Sequence, residues 1–424
     1  MLIFAAKMRK IVKDSAKLLS ANVVAQAIGI IVYPLLSRLY SESDFGLLSL
    51  FTSIGSVLVI LCTAEYHYAI VLPAEEKKAR AMSHVCLMIL GVVTGISMLF
   101  IPFSKPISRL FDAPELAEWL WLLPIYVGCC GMWNILNYIY IRGAQFTRIS
   151  SYQVSQSVVN AGSKIGFGYS GFLSGGLIVS SVIAPLLAVS ASIAVSWRKC
   201  LASYFVRCPR TDYGSVAREF SNFPKFNLPR SLVNSVGLAL PVWLLTRAFG
   251  TDNVGYLSLA LVSAFMPLNI IARAFYQIFY QRITELVQHR QPISRIMARF
   301  IVYTGVLTVL CLVGIYWFIP QLVTLLFGAN WLPTASVIRH LYPALVFVPV
   351  CGTICFLSDI FAKQKVAMWM EICYVIATGV ALFAGIRTGS FLTAISAYSW
   401  TGFVYMSIQL VWFVSLIRRY QQAL

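Results

Sequence analysis

The sequence predicts an all-α polytopic membrane protein with about twelve transmembrane helices. Three observations lead there: overall apolarity, apolar runs long enough for a bilayer of about 30 Å, and an internal likeness offset by half the chain. Of the 424 residues, 59 % are hydrophobic and 11 % charged, with a mean hydropathy of +0.79. An ordinary soluble domain carries about 25 % charged residues. One water-soluble core cannot hide this much apolar surface, whereas lipid solvates it directly.

A span needs about 20 predominantly apolar residues. In the first half such runs occupy 18–40, 45–72, 81–103, 119–141, 152–172 and 175–197. The second half gives 228–249, 254–279, 300–319, 335–358, 366–386 and 390–417. The first run follows a basic segment, but it is too long for a signal peptide and lacks a small-residue cleavage site, so it is expected to be a retained helix. The eighth contains Pro267, where a kink is expected.

Lys and Arg fall unequally on alternate connections, and positive loops stay in the cytoplasm. One side receives Lys7 to Lys17, Lys77 to Arg80, Arg142, Arg148, the cluster from Arg198 to Arg230, and later Arg282, Arg290, Arg295, Lys363, Lys365, Arg418 and Arg419. The other keeps little beyond Arg38, Lys105, Arg109, Arg247 and Arg387. Both termini are therefore expected in the cytoplasm. The same distribution accounts for the net charge of +18: it is spread over short loops that face anionic headgroups, and no basic, aromatic-bearing domain for nucleic acid stands out. The ten cysteines contain no Cys-x-x-Cys and lie mostly inside the runs, so neither a disulfide framework nor a metal site is expected.

The segment RLYSESDFGLLSL from Arg38 and the segment RAFGTDNVGYLSL from Arg247 share Arg, Gly and a terminal Leu-Ser-Leu without a gap. Each joins the outer end of one run to the start of the next. A duplication of six spans would place two six-helix lobes the same way up, related by a pseudo-twofold axis along the membrane normal. The expected divisions are an N-terminal lobe at 1–200, a basic, hinge-like cytoplasmic linker at 201–227 and a C-terminal lobe at 228–424.

The ordered stretches LLSRLYSESDFGLLSLFTSI, EYHYAIVLP, IRGAQFTRIS, FPKFNLPRSLVNSVGLALPVWLL and FGANWLPTASVIRHLYP resemble, over essentially the whole chain, the polysaccharide biosynthesis proteins. These include the Wzx-type O-antigen flippases, within the multidrug, oligosaccharidyl-lipid and polysaccharide exporter superfamily. The resemblance implies two six-helix lobes about a central cavity that faces each side of the membrane in turn. It implies a polyprenyl-pyrophosphate-linked glycan as cargo, membrane lipids as surroundings, and other polysaccharide-assembly proteins, such as a polymerase, as partners.

Polar side chains are expensive in lipid and point toward a cavity or a partner. In the fifth run Gln153, Gln156, Asn160, Ser163 and Lys164 fall on one stripe about 100° wide. Lys164, near the middle of that run, is the leading contact for a pyrophosphate or an acidic sugar; pairing with a structural acid is the competing account. The eighth run carries Asn269, Arg273 and Gln277 on one face, with Arg273 either deep or snorkelling to the interface. Asn22 and Gln26 in the first run, and Asn134 and Asn137 in the fourth, add amides that exchange hydrogen bonds with sugar hydroxyls. Asn and Gln as glue between helices is the alternative. Glu65, about 12 Å of helix before Pro73, is expected either to couple transport to protons or to pair with Arg142 or Lys164.

Two other functions fit the sequence less well. An exporter of cationic drugs or metabolites needs intramembrane acids, which are scarce here. A membrane polymerase or glycosyltransferase needs catalytic groups in a sizeable outer loop, and the sequence offers no Asp-x-Asp motif, phosphate loop or nucleophile-base pair. No enzyme activity, cofactor or metal is expected.

Overall fold

The computed structural model of the chain describes residues 23–204 and 210–422. Among these every regular element is helical. The main helices are α1 (Val23–Leu39), α2 (Glu42–Leu61), α3 (Glu76–Met98), α4 (Leu123–Arg142), α5 (Phe146–Tyr169), α6 (Leu173–Ser196), α7 (Arg210–Glu219), α8 (Leu228–Gln288), α9 (Ser294–Tyr316), α10 (Leu332–Leu345), α11 (Val348–Ile354), α12 (Gln364–Arg387) and α13 (Phe391–Gln422).

Among the described residues eight helices are long and apolar enough to cross a membrane, or nine if the bent pair Ala329–Leu345 and Val348–Ile360, at 44°, forms one span. The expected count is larger for three physical reasons. Part of the first run, 18–22, lies outside the described residues. The polar stripe of α5 keeps that helix off the apolar set. The seventh and eighth runs merge into the 61-residue α8, which breaks only at Gly250, with φ 83° and ψ 173°. A side chain is strained at that φ, so glycine supplies the corner.

The two like segments occupy the same structural situation. Aligned without a gap, Ser41 stands opposite Gly250, and both sit at a helix-to-helix corner. Ser41 caps α2: its hydroxyl accepts from the Asp44 amide at 3.3 Å, and the Asp44 carboxylate accepts from the Ser41 amide at 2.8 Å. This reciprocal capping box satisfies amides that the first turn leaves open. At the second corner Asn253 Nδ2 donates back to the Phe249 carbonyl at 2.8 Å.

The second run, 45–72, is not one continuous helix. α2 ends at Leu61, Ala64 and Glu65 take left-handed φ of 43° and 64°, and a short 3-10 turn follows at Tyr66–Val71. The guanidinium of Arg142 holds this turn, donating to the carbonyls of Ile70 at 3.2 Å, Val71 at 3.3 Å and Pro73 at 2.6 Å. Carbonyls released by the broken helix thus find donors rather than lipid.

The chain divides into two compact units, Met1–Ala239 and Leu240–Leu424. In the first, Leu47, Leu50, Phe51, Val127, Ile135 and Leu136 form a core between α2 and α4. Gly131 permits close packing: a Cβ there would stand 2.5 Å from Leu90 Cδ1 and 2.7 Å from Cys62 Cβ. α7 is fastened to this unit by Lys77 to Asp212 and Lys78 to Glu219, both at 3.0 Å, and by the Tyr66 hydroxyl donating to the Ala217 carbonyl at 3.0 Å. In the second unit α12 packs on α13, and Ile283, Met297, Phe300, Phe356, Phe413 and Leu416 form a core. The outward surface is apolar, with Leu310 63 % and Val411 70 % exposed, as lipid contact requires.

Candidate functional site

α5 starts six residues before the apolar run that predicted it, which moves Lys164 from the expected middle of the span toward one end. It stands 18 residues past Phe146 and five before Tyr169, about 27 Å and about 7.5 Å along the axis. Its face of α5 packs on α1. Ser157 Oγ donates to the Ala25 carbonyl at 2.7 Å, and the Tyr40 hydroxyl donates to the Lys164 carbonyl at 2.6 Å. A Cβ on Gly168 would stand 3.0 Å from Leu39 Cβ.

Lys164 is 8 % exposed, and among the described residues its ammonium has neither a carboxylate nor a hydrogen-bond acceptor. On the same stripe Gln153 Oε1 and Asn160 Oδ1 are shielded and receive no hydrogen bond. Each buried group left unmade costs on the order of 1–3 kcal/mol. Two shielded amide oxygens and the Lys164 ammonium thus lie along one helix face. Ser163 is not part of this set, because its hydroxyl donates to the Val159 carbonyl at 2.7 Å.

Other expected positions lie on α1, α4 and α5. Gln26 is half-buried beside Ala25, which accepts from Ser157 on the stripe; Gln156 is half-buried on α5. Asn22 lies outside the described residues. Asn134 and Asn137 are half-buried on α4, where Trp133 stacks on Tyr152 of α5 with ring centroids 3.2 Å apart.

Glu65 is buried in the break after α2 and forms no ion pair with Arg142 or Lys164. The Ser231 hydroxyl, at the start of α8, donates to its carboxylate. Its Oε2 is shielded and unpartnered. Around it the phenols of Tyr68 and Tyr138 are hydrogen-bonded to each other, with Arg230 near Tyr68. The His67 ring lies 4.3 Å from that of Tyr68, and its Nδ1 is 2.6 Å from Thr63 Oγ1. His67 therefore shares the turn with Glu65. Because Arg142 ties this turn to the end of α4 that leads into Phe146, Glu65 and Lys164 sit at opposite ends of the unit.

In the second unit Asn269 and Arg273 are exposed on α8. Arg273 stands 22 residues past Thr251, about 33 Å along the helix. Gln277 continues the same helix. Among the described residues no group of three or more His, Cys, Asp or Glu could hold a metal.

Sequence reasoning missed Ser157, Tyr40 and Ser231. Serine and tyrosine in apolar runs carry no distinguishing spacing, and Ser231 is 166 positions from Glu65. Only folding pairs them.

Residues 35–336 match the family described as polysaccharide biosynthesis protein. The chain is 21 % identical over 376 residues to the succinoglycan biosynthesis transport protein ExoT of Rhizobium meliloti (strain 1021), covering 86 % of this chain and 72 % of that protein. It is 23 % identical over 331 residues to the teichuronic acid biosynthesis protein TuaB of Bacillus subtilis (strain 168), covering 73 % of this chain and 63 % of that protein, less than two thirds of its length. Among solved structures, the lipid II flippase MurJ in an inward closed conformation superposes with a TM-score of 0.73 at 12 % identity, covering 97 % of this chain and 91 % of that one. An outward-facing multidrug resistance MATE family transporter of the MOP superfamily gives 0.65 at 15 %, covering 96 % of each. At these identities the likeness fixes the fold.

Proposed function

Because the chain belongs to the polysaccharide biosynthesis protein family and is a multi-pass membrane transporter by fold, we propose that it moves a polyprenyl-pyrophosphate-linked oligosaccharide across the inner membrane by alternating access. The observation that carries this reading is the α5 stripe: a buried ammonium without an acid among the described residues, and two shielded amide oxygens without donors. Hydroxyls or acetamido N–H groups of sugars supply the donors. A pyrophosphate or an acidic sugar supplies the anion for Lys164.

The physical need is plain, since a charge costs about 2.5–3.5 kcal/mol at mid-bilayer on insertion scales and several sugars add many unmade hydrogen bonds. On this reading the polyprenyl tail stays in lipid, the protein performs no covalent chemistry, and the Phe146 end of α5, next to the basic connections, faces the cytoplasm with both termini. Partners include the surrounding lipids and a polysaccharide polymerase. Glu65, a buried carboxylate with one open oxygen, is the group suited to carry a coupling proton.

That open carboxylate oxygen also favours a second reading, export of a cationic small molecule. One experiment separates them. Cells lacking the gene should accumulate lipid-linked oligosaccharide in the inner leaflet, and wild type should clear it while Lys164→Ala at matched expression does not. If no intermediate accumulates, the glycan reading fails and cation export takes its place.

A further inference from the structure

Resting on the flippase reading, we propose that Lys164 selects for an acidic group on the sugars themselves, in the part of the glycan remote from the lipid. The stripe has an order along α5: from Phe146, Gln153 Oε1 comes at about 10 Å, Asn160 Oδ1 at about 21 Å and Lys164 at about 27 Å. Neutral acceptors therefore precede the cation on the way from the loading side. The pyrophosphate is bonded to the polyprenyl chain and stays at headgroup depth while the tail remains in lipid. A cation about 27 Å further along the helix meets the far sugars, not the pyrophosphate, when cargo loads.

The energetics make this a selective contact. A lysine that is 8 % exposed, without an acid among the described residues, stays uncompensated against a neutral sugar and gains a charge-assisted hydrogen bond against a carboxylate. Gln153 and Asn160 accept from hydroxyls of either cargo, so they contribute binding without telling the two apart. Ser157, which donates to the Ala25 carbonyl of α1, and Tyr40, which follows α1 and donates to the Lys164 carbonyl, fix the height at which the charge is read.

The test uses the full chain in lipid nanodiscs and three probes: a tetrasaccharide alternating glucuronic acid with N-acetylglucosamine, the same tetrasaccharide with its carboxyls reduced to hydroxymethyl groups, and farnesyl pyrophosphate. Wild type should bind the acidic tetrasaccharide at least tenfold more tightly than the reduced one. Lys164→Arg should keep that ratio. Lys164→Ala and Lys164→Gln, checked for wild-type thermal unfolding, should bring it to about one while holding farnesyl pyrophosphate within threefold of wild type. Equal binding of the two tetrasaccharides by wild type overturns the proposal, as does failure to bind either. Loss of farnesyl pyrophosphate binding in Lys164→Ala with the sugar ratio intact also overturns it and assigns the lysine to the pyrophosphate. Failure of the flippase reading is seen separately, as cells without the gene that accumulate no lipid-linked oligosaccharide.

Discussion

Lys164 and Glu65 are opposite charges buried in the same unit, yet they serve different ends of it. Glu65 keeps one oxygen on Ser231 and one open, so its contributions separate by substitution. Glu65→Gln still offers Ser231 an acceptor but cannot exchange a proton. In proteoliposomes, an imposed pH gradient should accelerate transport of lipid-linked oligosaccharide by wild type and leave Glu65→Gln unaffected. Full acceleration in the variant would confine Glu65 to anchoring Ser231. Glu65→Ala, which removes the acceptor as well, should lower stability by about 1–3 kcal/mol, read as thermal unfolding in detergent. Both residues were legible in the sequence because charges in apolar runs are conspicuous. Their neighbours were not, since Ser231 comes from the far side of the basic segment and Lys164 meets α1 across more than a hundred residues.

At the scale of elements, the basic segment expected to be a hinge-like linker contains a helix with contacts of its own. α7 lies on α3 through two ion pairs, and Phe223 stacks on Tyr68 with centroids 6.3 Å apart. Exposed pairs of this kind contribute at most about 1 kcal/mol each, so their removal loosens the helix without unfolding the unit. Lys77→Glu with Lys78→Glu should speed amide hydrogen exchange across 212–222 several-fold while global unfolding shifts little. Adding Asp212→Lys and Glu219→Lys should restore slow exchange; unchanged exchange in the first variant would mean that the ring stacking and the Tyr66 bond hold α7 alone. The two corners at Ser41 and Gly250 were readable from the repeat, because each like segment joins the outer end of one apolar run to the start of the next. The left-handed break at Ala64 and Glu65 was not, because neither residue favours that conformation and the turn is held by Arg142 from another helix.

For the molecule as a whole, a charge of +18 on an apolar body predicts dependence on anionic lipid, with each interfacial Lys or Arg worth about 1 kcal/mol near a charged surface. Thermal unfolding in nanodiscs should occur at higher temperature with phosphatidylglycerol than with phosphatidylcholine, and the difference should shrink as salt screens it. A salt-independent difference would point to specific lipid sites instead. By itself the sequence determined the helical class, the membrane as solvent and the polar stripe of α5, because hydropathy and helical periodicity are local properties written along the chain, and its ordered motifs carried the family likeness. Tertiary structure alone decided that α2 breaks before Glu65, that Ser231 reaches that carboxylate, that α7 packs on α3, and that Lys164 lies near one end of its helix without an acid among the described residues. Those outcomes rest on which distant side chains come within hydrogen-bonding reach, and distance in space is not encoded by any spacing in the sequence.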